Sequence, residues 1–295
     1  MTAAIDVTLP YYGDVDLMKQ AVRSVLRQSF ADWRLIVVDD GYPDPEPAWW
    51  FAGLYDPRVT YQRNAENLGA NGNYRKCLSL VTAPLSVVMG ADDVMLPRHL
   101  EVLSDVFAAY PAAAVVHTAV DVINEHATVV RPLGDRMKSY YAPSKRRRTA
   151  LTGQDMAVSL LRGNWTYFPS MGWRTDVISP IGFRTGLDVV QDLALLLDVA
   201  KDGNTLVFDP RLTFRYRRHS EQDSTVRALD GRRFDEERDF FTREAASFDA
   251  MGWTRAARVA RWHLSSRLNA LTLLPRAVRT TGWGSFSRLG RHVVG

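Results

Sequence analysis

Val87-Val88-Met89-Gly90-Ala91-Asp92-Asp93-Val94-Met95-Leu96-Pro97 is an apolar run that is broken by two adjacent carboxylates. Ser86–Met89 has the continuous hydrophobicity of a strand that is buried on both faces, which is typical of a parallel sheet covered by helices. Such sheets bind ligands at the carboxyl ends of their strands. Adjacent carboxylates repel each other, so their natural partner is a hard cation such as Mg²⁺ or Mn²⁺, which commonly accompanies a substrate diphosphate. The alternative is that Asp93 caps a turn ahead of a helix that follows Pro97.

A second apolar strand, Arg34–Val38, ends in another pair of acids, Asp39 and Asp40. Ile5–Tyr12 is a third strand-like segment, and the residues between these two strands have apolar side chains at helical spacing: Leu17, Ala21, Val22, Val25 and Leu26. Strand, helix and strand in this order predict a βαβ unit of a parallel sheet with a right-handed crossover. The two acid pairs then share one edge of one sheet, which favours a binding site over independent helix caps.

The order of these segments resembles that of the inverting family 2 glycosyltransferases, which have the GT-A fold. Four segments carry the resemblance, within about residues 5–220: Val7–Tyr12, Leu35–Gly41, Asn67–Tyr74 and Gly90–Pro97. The resemblance implies an α/β fold with a mostly parallel central sheet and helices on both faces. It also implies metal-assisted transfer of a sugar, by single displacement, from a nucleotide diphosphate sugar, with a UDP-type donor favoured.

The same resemblance assigns candidate site residues. The nucleotide would lie near a set drawn from the strand ends and following loops: Pro10, Tyr11, Tyr12, Asp39, Asp40, Asn67, Asn73, Ala91 and Asp92. Asp92 would bind Mn²⁺ or Mg²⁺, while Asp93 assists it, caps the next turn or holds a basic neighbour. His219 would complete the metal shell or touch the diphosphate, with Arg215, Arg217 or Arg218 neutralising phosphate charge. Many family members have Asp-x-Asp where this chain has Gly90-Ala91-Asp92, so the first acid is missing.

Gln191–Ala200 resembles the family's Glu-Asp segment at the start of a helix, with Gln191 in place of the glutamate. In that register Asp192 is the general base that removes the acceptor's proton. The alternative role for Asp192 is to complement the positive end of the helix dipole, and the two roles are compatible. Asp188 is the reserve candidate for the base, and Asp198 is predicted to be a surface residue.

Composition is that of a globular enzyme, with 46% apolar residues and a net charge of +4. The single cysteine, Cys77, is predicted to be a buried structural thiol, and one thiol cannot form an internal disulfide, so a reducing compartment is expected. No apolar run approaches 18 residues and no signal peptide is visible. We therefore expect a cytoplasmic protein, with contact at the inner membrane face as the alternative.

Domain organisation is predicted as a GT-A domain over residues 1–225, with a nucleotide-binding half (1–95) and an acceptor half (96–225), and a basic helical extension over 226–295. From Ala250 to Gly295 there are eight arginines and no acid. The extension is interpreted as a membrane-surface helix or as a helix packed on the main domain or on a partner subunit of a homodimer. Nucleic acid is not an expected partner. A second basic cluster, Lys145–Arg148, lies in the polar stretch Pro132–Ala150, which predicts a solvated loop or a lid over an anionic group.

The sequence does not distinguish between four classes of acceptor: a glycan, a lipid-linked saccharide, a peptide or a small molecule. Four aromatic residues of the acceptor half suit either stacking on the acceptor or filling of the core: Trp165, Tyr167, Phe168 and Trp173. Of the six histidines, only His219 has a motif around it. Two other functions remain: a sugar-phosphate nucleotidyltransferase, or a degenerate nucleotide-sugar-binding or scaffold subunit, which the replacements at Gly90 and Gln191 motivate.

Overall fold

The computed structural model describes residues 3–144, 146–218, 232–263 and 267. The strands of this part are β1 Ile5–Tyr11, β2 Trp33–Asp39, β3 Val59–Arg63, β4 Leu85–Val88, β5 Val94–Met95, β6 Ala113–Ile123, β7 Thr149–Thr152, β8 Met171–Arg174 and β9 Thr205–Arg217. They form one sheet in the order β3-β2-β1-β4-β8-β6-β9-β5, and β7 also pairs with β9.

The helices of the described part flank this sheet. They are α1 Val15–Leu26, α2 Glu46–Ala52, α3 Gly69–Ser79, α4 His99–Ala109, α5 Leu133–Tyr141, α6 Gly153–Gly163, α7 Thr175–Ile181, α8 Gln191–Lys201, α9 Arg232–Ala250 and α10 Thr254–Trp262. None of the helices in the described ranges combines the length and the apolar character that crossing a bilayer requires.

The first four strands of the sheet are parallel, because β1 pairs in parallel with both β2 and β4, and β2 pairs in parallel with β3. The predicted βαβ unit, strand β1, helix α1 and strand β2, is therefore confirmed. The second half of the sheet mixes directions. β8 runs antiparallel between β4 and β6, and β9 is parallel to β6 but antiparallel to β5 and β7. The predicted α/β class holds, with its parallel character concentrated in the nucleotide half.

Helices cover both faces of the sheet, as the alternation of side chains on β6 illustrates. Val115 packs into a core with α6, α8, α9 and α10, whereas its neighbour Val116 packs into a second core with α1 and α4. Successive side chains of a strand point to opposite faces, so the two cores lie on opposite sides of the sheet. Cys77 is buried, as predicted.

The described part of the C-terminal extension is helical, as predicted, and packs on the main body. Phe240 and Phe248 of α9 are fully buried, and Ala257 and Ala260 of α10 lie in the same core as α6 and α8. For residues 232–262 the structure therefore shows the packed-helix alternative. The rest of the extension that was predicted to be helical, apart from residue 267, lies outside the described residues.

Asp198 is not a surface residue, contrary to the prediction. Nε of Arg184 donates to Oδ2 of Asp198 at 2.7 Å, and Nη1 of Arg184 donates to Oε1 of the buried Glu244 on α9 at 2.7 Å. Lys201 lies 2.7 Å from the other oxygen of Glu244. Two cations and two carboxylates thus join α8 to α9. The sequence around Asp198, which is largely apolar, gives no sign of these ion pairs.

The stretch predicted as a polar loop, Pro132–Ala150, contains helix α5. Its pattern is inverted relative to an ordinary amphipathic helix, because Leu133, Met137 and Tyr140 are exposed while Asp135 is buried. The Asp135 carboxylate receives two donors from the Arg218 guanidinium, at 2.6 and 2.9 Å. A buried carboxylate requires such a partner, and Arg218 is too distant in sequence for a local pattern to reveal it.

Candidate functional site

The two predicted acid pairs lie at one edge of the sheet. The Asp40 amide donates to the Tyr11 carbonyl at 2.9 Å, and the Met89 amide donates to the Thr8 carbonyl at 2.8 Å. These bonds join the ends of β2 and β4 to β1, which lies between them. Asp39, Asp40 and the loop that carries Asp92 and Asp93 therefore lie at the ends of two parallel strands that flank β1, at the edge where open α/β sheets bind ligands.

Asp93 is buried at this edge. Its Oδ1 accepts from the Arg217 amide at 2.8 Å, while its Oδ2 has no partner among the described residues. Burial and the adjacent charge of Asp92 raise the pKa of the Asp93 carboxyl well above its usual range. Helix α4 begins only at His99, so the alternative that Asp93 caps this helix is wrong. Within the described residues the hydrogen bond of Asp93 is with the main chain of Arg217, so its roles in assisting the metal or holding a basic neighbour stay predictions.

Arg217 is fully buried and supports the loop that carries these acids. Its guanidinium donates to the carbonyls of Asp92 at 2.7 Å and Asn124 at 2.9 Å, and to Oε1 of Gln20 at 3.2 Å. In this arrangement Arg217 binds protein groups and has no exposed surface for a phosphate, contrary to expectation.

The other basic residues of this segment differ from one another. Arg218 is paired with Asp135. The Nε of Arg215 is buried without a partner in the described ranges, and the neutralisation of phosphate charge by Arg215 stays a prediction. His219 lies outside the described residues.

Gly90 explains the missing first acid. A Cβ at this position would lie 2.5 Å from Oδ2 of Asp93 and 3.2 Å from Oδ1 of Asp92. Both carboxylates fold back over the Gly90 backbone, so the space that a side chain would take is filled by the two acids themselves. The departure at Gly90 is therefore compatible with a site at Asp92 and Asp93.

Gly90→Ala tests this packing. The added methyl group must displace a carboxylate whose other oxygen is held by the Arg217 amide, so we expect destabilisation by about 1–3 kcal/mol and weaker metal-dependent binding of a nucleotide sugar. Thermal unfolding and a binding titration with Mn²⁺ measure the two effects. Gly134→Ala is the matched control, because a Cβ at Gly134 meets nothing within 4 Å. Unchanged stability and affinity in Gly90→Ala would contradict the close packing.

Asp39 and Asp40 shape the nucleotide half through hydrogen bonds. Oδ1 of Asp39 accepts from the Tyr42 amide at 2.7 Å, and its Oδ2 accepts from the Tyr61 hydroxyl. Oδ1 of Asp40 accepts from Nδ2 of Asn64 at 2.8 Å and from the Leu68 amide at 2.9 Å. Asp40 therefore fixes the loop before α3, while Asp39 fixes the turn after β2.

The two predicted asparagines, Asn67 and Asn73, also make hydrogen bonds that shape the nucleotide half. Asn73 is buried and donates to the Val38 carbonyl at 3.0 Å, while its own oxygen accepts from Asn64 at 3.1 Å. Asn67 is exposed, and its Oδ1 accepts from the Gly69 amide at 2.9 Å. Asn73 thus ties α3 to β2, and Asn67 shapes the start of α3.

The two tyrosines after β1 have different positions. Tyr11 is fully buried, and its hydroxyl donates to the Gly13 carbonyl at 2.8 Å, so its ring is not available to stack on a nucleotide base. Tyr12 is 57% exposed and meets the Tyr42 ring edge-on, with centroids 5.4 Å apart. Pro10 and Ala91 are half-buried. Of the predicted aromatic contacts, the one at Tyr12 is sterically open.

Asp192 is the second residue of α8 and is half-buried. Its Oδ1 accepts from the Leu193 amide at 2.7 Å. The first residues of a helix leave their amides without intrahelical partners, and the N-cap residue Val190 has no side-chain acceptor. Glu236 of α9 supplies one, because its Oε1 accepts from the amides of Asp188, Val189 and Val190 at 3.1, 2.8 and 3.1 Å.

Asn71 of α3 ties the start of α8 to the nucleotide half. Its Nδ2 lies 2.9 Å from Oε1 of Gln191, 2.6 Å from the Leu187 carbonyl and 3.1 Å from the Arg184 carbonyl. Sequence reasoning missed both Asn71 and Glu236. Asn71 stands between the predicted Asn67 and Asn73, which was the available signal, whereas Glu236 has no local signal.

The aromatic residues of the acceptor half are mostly core. Trp165, Phe168 and Trp173 are buried, which favours the core-filling alternative for them. Tyr167 is half-buried; its hydroxyl donates to Oδ1 of Asp135 at 2.8 Å, and its ring centroid lies 5.2 Å from that of Tyr216.

Residues 6–162 match the model of the family described as glycosyl transferase family 2. The putative colanic acid biosynthesis glycosyl transferase WcaA of Escherichia coli (strain K12) is 31% identical over 114 residues, which are 38% of this chain and 39% of WcaA. The putative glycosyltransferase EpsE of Bacillus subtilis (strain 168) is 28% identical over 99 residues, 33% of this chain and 36% of EpsE. The chain thus matches less than half the length of these curated relatives.

Two solved structures are similar in fold. S. aureus TarS 1-349 in complex with UDP-GlcNAc aligns with a TM-score of 0.63 at 13% identity, covering 81% of this chain and 65% of the other. The mannosyltransferase PcManGT from Pyrobaculum calidifontis, in complex with GDP-Man and Mn²⁺, aligns with a TM-score of 0.62 at 15% identity, covering 99% and 79%. At these identities the likeness concerns the fold alone.

Proposed function

Because this chain belongs to glycosyl transferase family 2, we propose that it transfers a sugar from a nucleotide diphosphate sugar to an acceptor, with inversion at the anomeric carbon. The GT-A fold that the sequence predicted is confirmed by the two structural neighbours. The inverting course, the donor, the acceptor and the assistance of a metal all belong to the proposal.

One observation carries the proposal. Asp92 and Asp93 follow β4 at the sheet edge that also bears Asp39, and Oδ2 of Asp93 is buried without a partner in the described part of the chain. A buried polar atom without a partner is costly, so a site that leaves one is suited to a ligand that completes it. A cation at this point would also offset the repulsion between the two carboxylates.

The residues present fit a divalent cation that takes most of its ligands from elsewhere. Within the described ranges, no three or more His, Cys, Asp or Glu side chains form a metal-binding group. Asp92, with Asp93 beside it, would hold Mn²⁺ or Mg²⁺, and the donor diphosphate and water would supply the remaining oxygen ligands. When bound, such a cation offsets the negative charge that develops on the leaving diphosphate. The proposed third protein ligand remains His219.

Asp192 is the proposed general base. The acceptor oxygen or nitrogen attacks the anomeric carbon, the bond from that carbon to the diphosphate oxygen breaks, and the acceptor's proton passes to the Asp192 carboxylate. Glu236 and Asn71 support this role, because they bind the backbone immediately before the start of α8, and Asn71 also binds the Gln191 side chain. A base held in one orientation needs no rearrangement when the acceptor arrives.

A UDP-type donor is proposed, with the nucleotide over the loops after β1 and β2. The neighbours contain UDP-GlcNAc and GDP-Man, both nucleotide diphosphate sugars. The exposed Tyr12 would stack on the base. Asp39 would accept from the base edge or ribose, since an ionised carboxylate has more acceptor positions than the two that Tyr42 and Tyr61 use. The acceptor is taken to be a glycan, a lipid-linked saccharide or a small molecule.

The test is a panel of UDP- and GDP-sugars with Mn²⁺. The bound donor should raise the unfolding temperature in proportion to the logarithm of its concentration over its Kd, and turnover should release a nucleoside diphosphate. Release of pyrophosphate from a nucleoside triphosphate and a sugar phosphate would instead show a nucleotidyltransferase. Stabilisation by a donor without turnover on any acceptor would show a binding or scaffold subunit.

A further inference from the structure

A cavity of about 430 Å³ lies between α5 and the carboxyl-terminal half of β6. Its walls include His117 and Asp121 of β6, Tyr167, and side chains of α5 and the segment before it. Its volume lies in the range of small-molecule sites. We infer that this cavity binds the acceptor and that the acceptor is an anionic saccharide, one carrying a phosphate or a carboxylate. The inference rests on the proposed function, because it names the acceptor class of that reaction.

His117 offers this cavity a neutral hydrogen-bond donor. It is 2% exposed, and its Nε2 accepts from the Tyr167 amide at 2.9 Å. Burial, and then the charge of Lys138, lower the pKa of His117 to about 3, so its ring is neutral at neutral pH. With Nε2 as the acceptor, the single proton of the neutral ring is on Nδ1. Nδ1 has no partner among the described residues, so a saccharide or anionic oxygen in the cavity would satisfy it.

The charges around the cavity favour an anion. Three basic side chains line it: Arg131, Arg136 and Lys138. The lining also contains two acids, of which Asp135 is already neutralised by two hydrogen bonds from Arg218. Among the described lining residues, the exposed Arg131 and Arg136 then face one remaining acid, Asp121. Arg131 and Arg136 are exposed and have no ion-pair partner within the described ranges, so both can turn to a ligand at low cost.

Lys138 is fixed where it can serve the cavity. Its ammonium donates to the Thr166 carbonyl at 2.8 Å and lies 4.5 Å from the centre of the Tyr167 ring. A cation that is ordered before binding loses less side-chain entropy when the anion arrives.

The cavity is next to the proposed reaction centre. Tyr167 lines it, and the Tyr167 ring contacts the Tyr216 ring. Tyr216 is followed by Arg217, whose amide donates to Oδ1 of Asp93 at 2.8 Å. The cavity is thus connected to the proposed metal-binding acids through Tyr167, Tyr216 and Arg217.

Binding of small probes tests the inference without nucleotide sugar or metal. NMR titrations that follow both the ligand and the protein resonances use glucose 6-phosphate, glucuronic acid and glucose. We expect one or both anionic sugars to bind the wild type at least about tenfold more tightly than glucose and to shift the Nδ1–H resonance of His117. Arg131→Glu/Arg136→Glu should weaken anionic binding by at least about tenfold. Which anionic sugar binds distinguishes a phosphate from a carboxylate.

Arg27→Glu is the matched control, because Arg27 is an exposed arginine at the end of α1, at the opposite edge of the sheet. It should bind the probes as the wild type does. The inference is overturned if no sugar binds, if glucose binds as tightly as the anionic sugars, if the double variant binds unchanged, or if inorganic phosphate binds as tightly as glucose 6-phosphate.

Failure of the proposed function has a different signature. If the cavity inference alone is wrong, the protein still binds and turns over nucleotide sugars with Mn²⁺ while the anionic sugars fail to bind. If the proposed function alone is wrong, the anionic sugars bind as described but no nucleotide sugar is bound or consumed. In the double variant, unchanged affinity for the donor with Mn²⁺ shows that the fold and the donor site are intact.

Discussion

Asp192→Asn should lower kcat by at least about a hundredfold, since general-base catalysis typically contributes about 10²–10⁴-fold. Asparagine keeps the size of the side chain, and its amide oxygen can still accept from the Leu193 amide, so the helix start should be preserved. It cannot take the acceptor's proton. Donor affinity should change little, because in this proposal Asp192 serves the acceptor. Steady-state kinetics and a donor titration separate the two quantities.

The control for this substitution is Asp202→Asn. Asp202 is exposed at the C-terminal end of the same helix, far from its start, and the substitution should leave turnover unchanged. Asp198 is unsuitable as a control, because its ion pair with Arg184 helps to join α8 to α9. Near wild-type turnover in Asp192→Asn would exclude it as the base and direct attention to Asp188. Loss of donor binding together with turnover would assign Asp192 to the nucleotide or the metal.

Asp92→Ala should abolish the effect of metal on donor binding. Groups that merely support a metal ligand contribute about 10–100-fold to metal affinity, so loss of a ligand should cost at least the upper figure. Titration of donor with and without Mn²⁺ measures this difference. Without metal the variant should be as stable as the wild type or more stable, because Asp92 no longer repels the buried Asp93.

Asp32→Ala provides the comparison for Asp92→Ala. Asp32 is an exposed acid before β2, at the edge of the sheet opposite to the site, and within the described ranges it makes a hydrogen bond only through its backbone carbonyl, to the Ile5 amide. It should retain metal-dependent binding. If the wild type binds donor equally well in EDTA, the metal assignment fails whatever the variants do.

The nucleotide half was predictable because its signals are local. An apolar run such as Leu35–Val38 is buried on both sides only in a sheet that helices cover on both faces. The spacing of Ala21, Val22 and Val25 likewise identifies the buried face of helix α1. The second half was less predictable. The antiparallel insertion of β8 depends on pairings with β4 and β6 that no local pattern specifies.

Some residues of the candidate site could be predicted from the local sequence, and others could not. Asp92 and Asp93 were predicted to lie at one sheet edge with Asp39 and Asp40 because both pairs of acids end apolar strands, and the structure shows this placement. The structural role of Arg217 was not predicted, because its acceptors are distributed over residues 20, 92, 124 and 125. His117 was not predicted as a site residue, because a histidine within an apolar strand is commonly a core residue. Its relevance comes from one orphaned nitrogen, and only the structure identifies that atom.

Asn71 has a consequence for the exchange of segments between relatives. Residues 6–162 match the family model, and α8 with its Asp192 comes after that part of the chain. The Asn71 amide bridges this division, since it belongs to the matched part and donates to Gln191 and Leu187 beyond it. In a recombinant whose first half comes from a relative without this amide, we expect the start of α8 to lose these hydrogen bonds. When α8 is transferred between relatives to change the acceptor, Asn71 should therefore be transferred with it.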